Sequence, residues 1–370
     1  MRKITITKID IYNLKIPLAK PYWVSYALFE HANNTVIRIH TNTGIYGIGE
    51  GCPGTRVTGD TQETNFEMAK LLAKTLIGKN PLAIEERMRD IHLLLDYNTT
   101  VKSAFDIALY DLLAKQAELP LYALLGGENR TLYTDYTIGI DEPQVMKKEA
   151  LEYIQKGYPA LKVKLGTNKK DDVERIRIIR EAIGDDIPIR IDANQGWDVN
   201  TAIQTLRELE KYDIQYCEEP VACWDNKGLK RVRDNSIIPI MADESVHDHH
   251  DAFRLADMGA CDFFNIKLAK SSGIHTALKI NAIGEGAGIK CVVGCMDETR
   301  LSLTAAAHLV SARPNIAFAD LDSHLFLSED PVEGGMIEKN GTITLPDTPG
   351  HGADIPQEKL NNYESITITE

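Results

Sequence analysis

Polar and apolar residues alternate through 3–14, a spacing that predicts a β-strand. Residues 34–49 (NTVIRIHTNTGIYGIG) read as a hairpin turning at Asn42–Gly44. Stretches 62–77, 83–95 and 101–117 carry apolar residues at helical spacing, with Pro81 and Pro120 as punctuation. Leu125–Gly126–Gly127 marks a boundary, and from residue 131 the pattern changes. Short apolar runs recur at 132–139, 160–165, 187–193, 214–218, 237–242, 262–266, 290–294 and 316–320, each followed by a polar amphipathic stretch. Eight βα units of roughly 25 residues close most naturally into a parallel (β/α)8 barrel. A doubly wound sheet is the weaker alternative, because no Gly-rich fingerprint follows the first run. The remaining residues hold a hairpin pattern at 336–345 and a polar tail, which cannot form a barrel unit and are expected to pack back on the N-terminal domain. The expected division is an α+β domain over 1–127, a barrel over 128–325 and a returning segment over 326–370.

Composition narrows the function classes. The chain has 370 residues, 43% hydrophobic and 26% charged, which suits a globular protein and excludes a disordered chain or a coiled coil. The net charge of −13 argues against nucleic-acid or anionic-membrane partners, which need clustered Lys and Arg. No signal-type apolar region opens the chain, and no apolar run is long enough for a membrane span. The six cysteines form no CxxC pair, so we expect them reduced, mostly buried and cytoplasmic. Cys291 and Cys295 lack the second pair that a zinc site needs.

Barrel chemistry lies at the C-terminal ends of the strands. The third run ends in Asp192, the fourth in Glu218 and Glu219, the fifth in Asp243 and Glu244. Asp192, Glu218 and Asp243 recur in phase with the βα repeat, so three carboxylates converge on one point. Unpaired anions buried that close repel strongly. A hard divalent cation resolves the conflict, Mg2+ with Mn2+ as a substitute. The plainer alternative, three separate surface ion pairs, leaves the common phase unexplained.

Lys162 and Lys164 lie on the second run, and Lys267 follows the sixth. These runs face each other across an eight-strand ring. Lys164 and Lys267 therefore flank the metal point from two sides. Desolvation beside a metal draws a lysine pKa down and makes it a base. Two bases on opposite faces of one carbon serve a racemase or epimerase, with the metal stabilising the enolate between them.

The motifs LKVKLG (161–166), IDANQGW (191–197), CEEPV (217–221), MADES (241–245), FNIKLAKSSGI (264–274) and VGCMDET (293–299) resemble those of the enolase superfamily, muconate-lactonizing enzyme subgroup, over nearly the whole chain. The resemblance implies a modified TIM barrel with an α+β capping domain. It implies Asp192, Glu218 and Asp243 as metal ligands, Lys164 and Lys267 as bases, and Lys162 as a partner of the substrate carboxylate. Asn194, Glu244 and Lys270 then stand behind them. ADLDSHLFL (319–327) resembles the D-x-D motif of dipeptide epimerases, and TGD (58–60) resembles their cap loop. Asp320 and Asp322 offer two carboxylates to a substrate ammonium, as an L-aminoacyl dipeptide requires. The plainer reading of both is loop capping.

Some positions depart from the pattern. E-E-P stands where E-Q-P is usual, and Asp297 stands where an apolar residue is more frequent. Arg300 is placed to pair with Asp297 or reach substrate. Loop 20–34 brings Tyr22, Trp23, Tyr26 and Phe29 over the site, and after Lys20 it has no Lys or Arg. An acidic second residue is therefore disfavoured, unless Arg56 or Arg300 compensates. Tyr26, Met296, Glu298 and Arg300 join the substrate-contact candidates. KPYW followed by GEGCPG also resembles cap loops of proline-derivative racemases and dehydratases.

Two signals are weaker. His247–Asp248–His249–His250–Asp251 invites a metal reading but reads better as a helix start, and Gly47, Gly49 and Gly51 resemble a nucleotide loop only loosely. The leading expectation is a Mg2+-dependent dipeptide epimerase with a non-acidic preference, assembled from identical chains by fold analogy. The alternatives are β-elimination or another racemisation (o-succinylbenzoate synthase, N-acylamino acid racemase, hydroxyproline dehydratase, proline-derivative racemase) and a non-catalytic binding barrel.

Overall fold

The N-terminal alternation produces a strand, Ile6–Trp23, longer than its apolar pattern suggests. It pairs antiparallel with Leu28–Thr41, and past the alternating part Tyr22 faces Phe29 with their rings stacked 5.5 Å apart. The computed structural model describes residues 4–369; residues 1–3 and 370, the outer ends of the expected N- and C-terminal segments, lie outside them. Tyr46–Gly51 pairs with Leu28–Thr41, and Glu364–Thr369 pairs with Ile6–Trp23 on the other side. The result is a four-stranded antiparallel sheet in which the strand nearest the C-terminus lies at one edge.

Helices Gln62–Leu76, Ile84–Leu94 and Thr99–Gln116 accompany this sheet. The third presses directly on Tyr46–Gly51. A Cβ at Gly47, Gly49 or Gly51 would stand 2.0, 2.2 or 2.3 Å from the carbonyl oxygen of Ala108, Ala104 or Thr100. Alternate strand positions thus meet every fourth helix position, each periodicity keeping one face. The three glycines serve helix packing, which replaces the nucleotide-loop reading.

Eight parallel strands form the second sheet: Tyr136–Ile138, Leu161–Lys164, Ile189–Asp192, Ile214–Glu218, Ile240–Ala242, Phe263–Ile266, Lys290–Val293 and Ile316–Ala319, paired in chain order. Helices alternate with them, from Pro143–Gln155 to Arg300–Ala312. Several begin at a side-chain cap, among them those at Asn168, Asp198 and Asp225, and one such start was foreshadowed by the sequence. Asp248 accepts from the backbone N–H groups of His250 and Asp251, so the histidine-rich stretch is a helix start. The run 132–139 divides. Leu132–Tyr133 pairs with the Thr342–Thr344 arm of a hairpin, and only Tyr136–Ile138 joins the barrel. Alternation shows that both halves are extended, not which ladder each enters.

Ring closure between the first and eighth strands is thin. One backbone bridge joins Thr134 to Ala319, the Thr134 hydroxyl accepts from the Leu321 N–H at 2.8 Å, and Asp322 accepts from the Thr137 N–H at 2.6 Å. Among the described residues no helix is long and apolar enough to cross a membrane.

Two buried carboxylates lock the antiparallel part to the barrel. Glu50 accepts from the Thr299 and Ser302 N–H groups at 3.0 and 3.1 Å, at the start of helix Arg300–Ala312. Asp106 accepts from Ile274 N–H at 2.5 Å, at the start of Ile274–Ala287. Each satisfies orphan donors at a helix N-terminus.

Gly49→Ala should therefore destabilise the protein by about 1–3 kcal/mol or more, since the obstacle is backbone. Chemical denaturation checks this; an unchanged midpoint contradicts the packing.

Candidate active site

The barrel brings the strand-end charges together. Asp192, Glu218 and Asp243 terminate or directly follow the third, fourth and fifth strands and are fully buried. Lys162 Nζ stands 2.7 Å from Glu218 Oε2, 2.7 Å from Asp320 Oδ2 and 3.3 Å from Asp192 Oδ2. Lys164 Nζ lies 2.7 Å from Asp192, and Lys267 Nζ lies 2.9 Å from Asp243. Lys270 is completely enclosed, 2.5 Å from Asp243 Oδ1, and donates to the carbonyls of Asp243, Val246 and Asn265. The second and sixth strands are four places apart in the sheet, and Lys164 and Lys267 line one cavity.

The donor set suits a hard cation. It is all oxygen, and Glu218 Oε2 and both oxygens of Asp243 are buried without a well-directed hydrogen bond, despite nearby ammoniums. Seven buried carboxylates (these three with Glu219, Glu244, Asp320 and Asp322) face four lysines, an excess of negative charge. The strain shows in the titration. Burial, reinforced by Asp192, pushes Glu218 up to about 8, and burial with Asp243 and Glu219 pushes Glu244 well up. Lysines outweigh burial at Asp192 and Asp243, which are held low. Lys267 is correspondingly held high: burial lowers its pKa, but Asp243 and Glu218 raise it more. The expected depression is therefore not produced at Lys267 by the protein groups alone. The three carboxylates also stand with ammoniums among them. Among the described residues, the trio of ligand-type atoms within 4.8 Å of one another comes instead from Cys295, Asp320 and Asp322.

The residues behind this cluster were only partly foreseen. Asn194 donates its N–H to Asp192 Oδ1 at 2.8 Å and has a left-handed backbone; its amide lies 3.5 Å from Glu244. Glu219, which sequence reasoning passed over, accepts from the Asp243 N–H at 2.6 Å, the Ser245 N–H at 3.2 Å and the Ser245 hydroxyl. It ties the fourth strand end to the Asp243–Ser245 turn. Asn265, also missed, donates to Glu218 Oε1 at 2.7 Å. Its position two residues before Lys267, on the same strand face, was the available signal.

The cavity, about 470 Å3, lies between the barrel mouth and the tip of the first hairpin. Val24 N–H closes the tip onto the Ala27 carbonyl at 3.0 Å. The tip is fastened below: Ser25 donates to the Asn194 carbonyl at 2.8 Å, and Ile140 N–H to the Trp23 carbonyl at 2.9 Å. Tyr22, Trp23, Tyr26 and Phe29 all line the cavity, as do Lys162, Met296, Asp320 and Asp322. Asp320 Oδ1 is buried without a hydrogen bond, and Asp322 Oδ1 lies 3.9 Å from Cys295 Sγ.

Arg300 and Glu298 are placed elsewhere. Arg300 pairs with Asp330 at 2.5 Å and donates to the Val332, Gly334 and Met336 carbonyls, because the returning chain runs past the first turn of its helix. Asp297 instead accepts from the Tyr22 hydroxyl at 2.7 Å. Glu298 folds back to accept from the Met296 N–H and does not line the cavity. Arg56 is exposed and stacks over the Tyr26 ring at 5.0 Å. All six cysteines are free.

Residues 6–126 match the model for the mandelate racemase/muconate lactonizing enzyme N-terminal domain, and 145–359 match that for the enolase C-terminal domain-like family. The chain belongs to the enolase superfamily, in its mandelate racemase/muconate lactonizing branch. It is similar to the D-Ala-D/L-Ala epimerase of Cytophaga hutchinsonii, 45% identical over 98% of this chain and 99% of that one. A crystal structure of a dipeptide epimerase from that organism, complexed with Mg and D-Ala-L-Val, superposes with a TM-score of 0.97 over 99% of this chain and 100% of the other. The hydrophobic dipeptide epimerase of Enterococcus faecalis is 42% identical over 94% of this chain and 99% of its own.

In this superfamily member, burial and the neighbouring Glu50 push Glu298 up to about 8. Unfolded, it titrates near the ordinary 4.5, so the folded protein holds the extra proton between these values. Its contribution is full below the unfolded pKa and is lost as pH rises through about 8. Glu298→Gln should flatten the fall in Tm between about pH 5 and 8. Parallel Tm curves for variant and parent contradict the assignment.

Proposed function

We propose that this isomerase is a Mg2+-dependent dipeptide epimerase that inverts the α-carbon of the C-terminal residue, with a preference for non-acidic side chains. The carrying observation is Lys164 and Lys267 reaching one cavity from opposite strands, beside three strand-end carboxylates. Two similar proteins named as epimerases support the substrate class. We infer the same organisation as the sequence suggested: cap 1–127, barrel 128–325, returning segment 326–370.

Asp192, Glu218 and Asp243 would hold the metal. A divalent cation held by them would offset the carboxylate charge, favour a neutral lysine and stabilise negative charge developing on the substrate carboxylate. The chain's own groups do the rest. A neutral Lys164 or Lys267 Nζ takes the α-proton from one face, and the protonated lysine opposite returns one from the other. Lys162, between Glu218 and Asp320, places an ammonium on the substrate carboxylate side of the cavity. Asp320, with its free Oδ1, and Asp322 receive the substrate ammonium at the eighth strand. Lys270 and Asn194 fix Asp243 and Asp192 in place. The fastened hairpin tip keeps water from the enolate. Lys20, the one basic residue of the hairpin loop at the cavity, is turned to Glu149 at 3.3 Å, so the loop itself offers no unpaired cation to an acidic side chain.

Proton NMR in D2O with L,L-dipeptides tests the reading. Deuterium should enter the C-terminal α-carbon as the opposite epimer forms. Lys164→Ala and Lys267→Ala should each lower epimerisation by about 10²–10⁴-fold. Each should spare exchange that starts from the epimer facing the remaining lysine; equal exchange from both epimers in either variant sinks the two-base account. Chelation with EDTA should abolish turnover, and added Mg2+ should restore it; full activity after chelation refutes the metal assignment.

A further inference from the structure

After the seventh strand the cavity holds a buried acid that the proposed mechanism does not use. Asp297 follows the seventh strand, is 7% exposed and lines the cavity. Tyr22 donates to its Oδ1 at 2.7 Å, and its backbone carbonyl accepts from Asn34 Nδ2 at 2.9 Å. Both partners belong to the cap hairpin, so the acid is held from the side that covers the site. Tyr26, Phe29, Val57 and Met296 line the same cavity. Of the cations near the cavity, Lys20 pairs with Glu149 and Arg300 with Asp330, while Arg56 lies over Tyr26 and Lys148 lines the cavity together with Glu149 and Glu152. Burial pushes the Asp297 pKa up, while the Tyr22 hydroxyl, Lys164 and Lys267 oppose that shift.

The order of strands says what meets this acid. With the substrate carboxylate at the third to fifth strands, the ammonium at the eighth and bases at the second and sixth, the α-carbon has one substituent left. It points out of the barrel, toward the cap and the loop after the seventh strand. Asp297 sits there and lines the same cavity as Lys164 and Lys267.

We propose that Asp297 determines specificity for the side chain on the epimerised carbon through its charge. It rejects side chains that end in a carboxylate and accepts a hydrogen bond from neutral side chains that carry an N–H or O–H donor. This rests on the dipeptide epimerase reading and names the class of second residue. A carboxylate brought against a buried acid suffers repulsion that water does not screen. A carboxamide of the same shape offers a donor instead.

The test compares α-deuteration of L-Ala-L-Gln and L-Ala-L-Glu, near isosteres that differ in charge. Wild-type kcat/KM should favour glutamine by about 10²-fold or more. Asp297→Asn should bring that ratio down at least about tenfold. The ratio within each variant is the readout, so a general loss of activity cancels. Tyr22→Phe, which keeps the acid, should leave the ratio high and so separate charge from altered shape. An unchanged ratio in Asp297→Asn, or equal wild-type turnover of the two dipeptides, overturns the inference and leaves the epimerase reading standing. Wild-type enzyme that exchanges no dipeptide overturns the epimerase reading and this inference with it.

Discussion

Too much negative charge lies buried at one end of the barrel, and the rest of the site is arranged around that fact. Three adjacent strand ends deliver Asp192, Glu218 and Asp243, the following turns add Glu219 and Glu244, and the eighth strand adds Asp320 and Asp322. Removing ions from water is costly unless each finds partners. Four lysines meet part of the demand. Glu219 is satisfied separately by backbone N–H groups and a serine hydroxyl, which lets a second glutamate follow Glu218 without joining its chemistry. The remaining imbalance favours protonated carboxyls and a charged Lys267, and it is what the proposed divalent cation would relieve. The same imbalance makes the pocket chemically useful.

That cluster is exposed to solvent only as far as the cap allows. The cap is registered on the barrel by two acids that complete helix N-termini, Glu50 and Asp106. The second lies on the helix pressed against Gly47, Gly49 and Gly51. A helix so close to its strand has little freedom to slide, so the hairpin tip is carried on a rigid mount. Ser25 and Trp23 then fix the tip to the barrel mouth.

Much of this was legible in the sequence because parallel barrels repeat. Residues in phase with the βα unit must share a level, so Asp192, Glu218, Asp243 and Lys267 could be placed together from spacing alone. What failed to show had no period behind it. Glu219 looked like a substitution beside a ligand, yet it fastens the next turn. Arg300 looked free because the carbonyls it serves come from residues 332–336, brought back by the returning chain. Tyr22 and Asp297 meet across the two halves of the molecule, a pairing no local pattern reports. The 132–139 run showed its extended character but not its division between two sheets.

The seam between the first and eighth strands has an evolutionary corollary. Asp322 is a wall of the pocket and also a clasp on the Thr137 N–H where the backbone ladder is thinnest. A lineage that changed this residue to admit a new substrate would loosen the ring in the same step. Asp320 is similarly bound, through Lys162, to the charge balance. Drift in substrate range is thereby channelled toward pocket positions away from the seam, such as Tyr26, Phe29 and Met296. The thin seam makes one side of the pocket conservative and leaves the other free to vary.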